Sequence, residues 1–351
     1  MKKLPVALLI FLMVLVLFPV SAAGVEEKQT KPRELIISTW GLSEDALWAE
    51  VYEPFEKQYN VKVILDTGNA QERYTKLKSD PNSTVDVIEL AQKNTAEGVA
   101  DGLFAPLASS DIIPFKDLIA GAQALINSGS GAPYTLNSIG IIYNPKAAGI
   151  TIDSWDDLWN PALKGKISIP DITTTFGPAF LAMCSDSVGV DFTSDKGEAA
   201  FKALEALKPN VLRTYAKSSD VASLFKNGEI AVAIVGDFGV PIITKADSEA
   251  VYMVPSTGTY ANFNVINITK NTKNRDLAVA YINYRLNAET ELRTAKALNE
   301  APVNGKVVLT PELAANKTVG EVAANAKMVD FTQVNPLMAV WVDRFNRLMN
   351  K

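Results

Sequence analysis

Reactive side chains are scarce in this sequence, and what is missing narrows the chemistry first. No histidine occurs among the 351 residues, which removes the commonest general base at neutral pH and the commonest transition-metal ligand. Cys184 is the sole cysteine, so no intramolecular disulfide forms and neither a Ser/His/Asp nor a Cys/His arrangement can be assembled. No phosphate loop, dinucleotide fingerprint or nucleophile elbow stands in a strand–turn–helix context. Carboxylates remain. The pair Asp156-Asp157 follows Ser154 at the start of a short predicted helix, where a Ser cap and early acidic residues have a structural role. Catalysis is not expected. A carboxylate-dependent hydrolase is the one enzymatic alternative, and no carboxylate spacing supports it.

Residues at the ends of predicted strands point to binding instead. Asp237, in Val235-Gly236-Asp237-Phe238-Gly239, follows an apolar strand, and the glycines let backbone approach a ligand. It is the leading candidate contact, with Phe238 beside it. Trp40 follows the first predicted strand, and an aromatic face stacks on an alkyl chain or holds an ammonium group for roughly 0.5–2 kcal/mol. Glu89 and Gln92 flank the end of the third strand, with Glu89 facing either a cleft or solvent. Tyr260 and Phe263 are candidates for an opposite wall. The hydroxyls of Thr173, Thr174 and Thr175 precede a predicted helix whose free N–H groups would make an anion site.

The elements that must position these groups alternate. Strands are expected at 34–39, 61–66 and 85–90, with helices at 43–59 (Ser43 as cap), 70–78 and 94–101 between and after them. This pattern implies a mostly parallel sheet with helices on both faces, which binds ligands at the carboxyl ends of its strands. The stretch 133–171 joins two such units. It holds apolar runs at 139–143 and 166–170, separated by a short helix that starts at Ser154 and stops at Asn160-Pro161. Beyond it, strands are expected at 230–235, 250–255 and 263–268 and helices at 176–183, 196–207, 218–227, 275–286, 289–298 and 340–350. The N-terminus reads as a secretory signal over residues 1–23: Lys2-Lys3, an apolar run, then small residues. Removing it takes the formal charge from −5 to −7, which argues against nucleic acid and anionic membrane surfaces. The remaining ~330 residues exceed a single core and suit two lobes.

The strand "Y-x-x-x-x-I-G-I-I-Y-N" followed by "SWDDLWNPALKGKI" resembles the bacterial extracellular solute-binding proteins that feed ABC importers, above all their spermidine/putrescine-binding branch. The resemblance implies an α/β, two-lobed periplasmic-binding-protein fold of type II, joined by a two-crossing hinge near Ser138–Ile142 and 263–268. Its lobes would be 34–138 plus 266–351, and 139–265. It further implies a soluble, extracytoplasmic monomer that closes on a small molecule, delivers it to a membrane permease, and has no cofactor, no metal and no nucleic-acid partner. It adds Tyr134, Asn137, Asp171 and Glu300 as cleft residues, and it matches Trp40. The chain also departs from the polyamine pattern. Asn264 stands where an acidic residue is usual, Gly236 replaces a tryptophan, and the second carboxylate after Asp171 is lost within the threonine run. Those losses favour a ligand with one amino group, polyamine-like or zwitterionic, over a polyamine. The alternative is an anionic or phosphorylated compound at Thr173–Thr175. Ferric ion is disfavoured, because adjacent tyrosines and histidine are absent. A sensory role would use the same closed form as transport.

Overall fold

The computed structural model describes residues 32–350, so the expected signal segment lies outside the described residues. Ten strands form one continuous sheet: β1 (Arg33–Thr39), β2 (Val61–Thr67), β3 (Val87–Ala91), β4 (Ala132–Tyr143), β5 (Ile167–Pro170), β6 (Val211–Tyr215), β7 (Val232–Gly236), β8 (Val251–Met253), β9 (Tyr260–Ile268) and β10 (Lys327–Met328). The order is β2-β1-β3-β9-β4-β7-β5-β6, with β8 beside β4 and β10 beside β9. Parallel pairs β1/β2, β1/β3, β5/β6 and β5/β7 sit at the two ends. Strands β3, β5 and β7 are buried throughout, the signature of a parallel sheet covered by helices, while β2 and β6 at the edges are partly exposed.

Two long strands join the ends. Every residue of β4 is buried; its residues 132–138 pair antiparallel with β9, and from Ile139 onward the strand pairs with β7. One strand thus belongs to two half-sheets, and β9 returns alongside it to meet β3. Gly140 is needed here, because a Cβ would come within 2.6 Å of the Met253 carbonyl oxygen and 2.5 Å of the Tyr252 ring. The result is a two-lobed architecture with separate cores. One centres on Leu35, Ile37, Phe55 and Tyr281, the other on Ile141, Phe180, Phe201 and Trp341.

Several elements differ from the sequence expectation. The helix expected over 43–59 is broken into Glu44–Leu47, a π-turn at Trp48–Tyr52 and Glu53–Tyr59. Pro54 lacks an N–H and crowds the preceding turn, and the wider π-turn accommodates it. Ser43 is left-handed, with φ 53°, and does not cap. Around Ser154 the roles are reversed: the Asp157 carboxylate accepts from the Asp153 and Ser154 N–H groups and from the Ser154 hydroxyl. Strand β6 escaped the pattern because its residues are half-buried or exposed, so its apolar alternation is weak.

The largest difference lies at the C-terminal end. Residues 266–351 were expected to pack as part of the first lobe, yet Phe331, Val334, Trp341 and Phe345 fill the second core. The Trp341 ring lies 6.0 Å from Phe192 and 6.3 Å from Phe201. Arg344 pairs with Glu198 and Lys327 with Asp186. The strongly amphipathic helix Met338–Met349 predicts burial of one face but not which core receives it. The chain therefore passes between the halves a third time after Ala326, beyond the two crossings expected.

Candidate functional site

At the carboxyl ends of β1 and β3 a cavity of about 120 Å3 opens to solvent, lined by Thr39, Trp40, Glu89, Tyr134, Asn137, Phe238, Asn264 and Glu300 among others. The first half supplies nearly all of the wall. The second half contributes Thr175, just before helix Gly177–Asp186, and Phe238 after β7. Leu42, Leu47 and Leu298 add an apolar rim, with the Ser43 hydroxyl among them.

The charged part of the wall is tightly bonded. Glu89 is buried and accepts from the Thr39 hydroxyl at 2.6 Å, the Tyr281 hydroxyl at 2.8 Å and, more loosely, the Tyr134 hydroxyl at 3.4 Å. Glu300 takes both of its oxygens to one guanidinium nitrogen of buried Arg285, at 3.1 Å each. That guanidinium also lies 4.4 Å from the Tyr134 ring centroid. Burial works against the Arg285 charge, but Glu300, Tyr281 and Glu89 outweigh it and hold its pKa well above the ordinary value. Arg73 repeats the device behind Trp40, at 4.8 Å from the ring, while donating to the carbonyls of Ser38 and Glu89. Burial lowers its pKa to about 10, so it stays charged at neutral pH.

Of the residues named from sequence, Trp40, Glu89, Tyr134, Asn137, Thr175, Phe238, Asn264 and Glu300 come together at this cavity. Six do not line it. Asp237, the leading candidate, is buried beneath: its carboxylate accepts from Asn137 at 2.8 Å and Thr318 at 2.5 Å, and the Asn299 amide donates to its backbone carbonyl. Burial pushes its pKa up to about 6 despite these donors. Asp171 folds back on its own turn, accepting from the Thr173 N–H and hydroxyl, and the Thr174 hydroxyl donates to the Asp171 carbonyl. Gln92 ties strands together by donating its N–H to Asn262 and accepting from the Phe263 N–H. Phe263 lies in the first core. Tyr260 packs in the second core, 6.5 Å from Phe192. Sequence reading missed Thr39, whose place at the end of β1 was a usable signal, and Arg285, which carried none.

Fold and cavity together define a two-lobed protein that encloses a small molecule beside its connecting strands. Residues 50–321 match the model of the bacterial extracellular solute-binding proteins, and the chain belongs to that family. It is 52% identical to an ABC transporter protein from Clostridium perfringens ATCC 13124, whose crystal structure superposes with a TM-score of 0.80 over 90% of this chain and 100% of that one. It is 24% identical over 284 residues to the spermidine/putrescine-binding periplasmic protein of Escherichia coli K12, covering 78% of this chain and 81% of that one. To the putrescine-binding periplasmic protein SpuD of Pseudomonas aeruginosa it is 27% identical over 290 residues, covering 76% and 77%. The protein is thus an extracytoplasmic solute-binding component of an ABC transport system. Among the described residues no helix is long and apolar enough to cross a membrane, and no three His, Cys, Asp or Glu side chains gather as a metal site.

Proposed function

We propose that this protein captures a small organic solute bearing an amino group and, as a monomer without catalysis or nucleic-acid partners, hands it intact to a membrane permease. One observation carries the reading. Trp40, Tyr134 and Phe238 surround a cavity whose wall includes Glu300, a carboxylate still partly exposed. Aromatic faces take the carbon skeleton and the carboxylate takes the ammonium. Thr175 and Phe238 reach the cavity from the far half, so a bound solute contacts both halves and shifts the population toward closure. The moving bodies are 34–138 with 266 up to the third crossing, and 139–265 with the C-terminal helix.

The anionic alternative at Thr173–Thr175 loses ground, because the Asp171 carboxylate already occupies the Thr173 N–H and hydroxyl. The test is native mass spectrometry of the freshly exported protein, followed by a thermal-shift screen of amines and phosphorylated compounds. Intact recovery of an amino-bearing solute is expected. Turnover of the solute, or stabilisation by anions alone, would overturn the reading.

A further inference from the structure

The cavity wall is charge-compensated, and the compensation comes from behind it. Glu89 and Glu300 are the carboxylates that line the cavity. Each is accompanied by a buried guanidinium that is not itself a lining residue: Arg285 on Glu300, and Arg73 on the Glu89 backbone and behind Trp40. Two negative charges are thus matched by two positive ones before any solute arrives. The acceptors are also largely engaged, Glu89 by three hydroxyls. The donors are not: the Trp40 indole N–H and the Ser43 and Thr175 hydroxyls make no hydrogen bond among the described residues.

A dication entering such a site would leave two positive charges without net compensation in a desolvated pocket, which is unfavourable. A solute with one ammonium and one acceptor-rich end leaves none: its ammonium meets the remaining lone pairs of Glu300, and its oxygens meet the free donors. We infer that Arg285, acting through Glu300, is the positioning residue that sets the cleft's charge and selects a net-neutral, zwitterionic solute over a diamine. The inference rests on the solute-capture reading; retention of a small molecule tests that reading, and the order of affinities by charge tests this one.

Three probes of equal chain length separate charge from size: 1,4-diaminobutane, 4-aminobutanoate and butanoate, titrated calorimetrically into the full exported chain. The zwitterion is expected to bind tightest, by about tenfold or more over the diamine, the order of one unit-charge interaction in a partly screened site. Arg285→Met should shift the ratio of diamine to zwitterion affinity about tenfold toward the diamine, and Arg285→Lys should restore the native order. Glu300→Gln, which does not remove a buried cation, should weaken both amines and favour butanoate. A preference of the native protein for the diamine overturns the inference, as does an unchanged ratio in a folded Arg285→Met variant. Should Arg285→Met fail to fold, unchanged affinities in Glu300→Gln overturn it equally, and so does the absence of binding by all three probes to the native chain.

Discussion

Around β1–β3 the structure buries Arg73, Asp86, Glu89, Lys93, Arg285 and Glu291, whereas around β5–β7 its buried residues are chiefly hydrocarbon, with small polar exceptions such as Ser168, Ser185 and Asn210 and one buried carboxylate, Asp237, at the end of β7 facing the other half. The two halves have similar strand arrangements and interiors of different polarity. Charges are retained in an interior only where hydrogen bonds and counter-charges offset their desolvation, and here they cluster where the cavity opens. The half that holds recognition chemistry is the polar one. The other half presents Thr175 and Phe238 from a close-packed apolar body, which suits a wall that moves as a unit.

The comparison implies an order of costs. Trp341→Ala should have the largest effect, destabilising by about 3–5 kcal/mol in chemical denaturation, because a fully packed indole is lost from the second core. Next is Asp237, whose folded pKa of about 6 lies above its ordinary 3.8. A carboxyl shifted upward contributes stability that is complete below pH 4, declines as the pH rises from about 4 to 6, and is absent above. The decline should amount to about 3 kcal/mol. In Asp237→Asn that slope in a stability–pH profile should vanish; if it persists, the titrating group lies elsewhere. Tyr281→Phe removes one donor from Glu89 and should cost about 1–3 kcal/mol. A loss equal to that of Trp341→Ala would break the contrast between the halves. Phe238→Ala, at the smallest end, should weaken solute binding by about 0.5–2 kcal/mol with little change in the melting of the free protein.

Much of this was legible in the sequence for a definite reason. Continuous apolar runs such as 139–143 and 230–235 announce buried strands, and the residue following such a run lies at a sheet end, so Trp40, Glu89 and Phe238 could be placed near a cleft. Position along a strand says nothing about depth. Asp237 follows β7 as Trp40 follows β1, yet it lies under the surface, held by Thr318 from a segment far away in the chain. Arg285 was illegible for the same reason: a terminal helix arginine reads as solvated unless its partner, Glu300 in a separate loop, is known to stand beside it. The third crossing was hidden because an amphipathic face names no partner.

That third crossing has a consequence for how the molecule is made. The second core is completed by Trp341 and Phe345, which lie far along the chain from the Phe180 and Phe201 they enclose. No contiguous stretch can finish that half alone, so its closure is a long-range step in folding that carries the loop-closure entropy of the whole intervening segment.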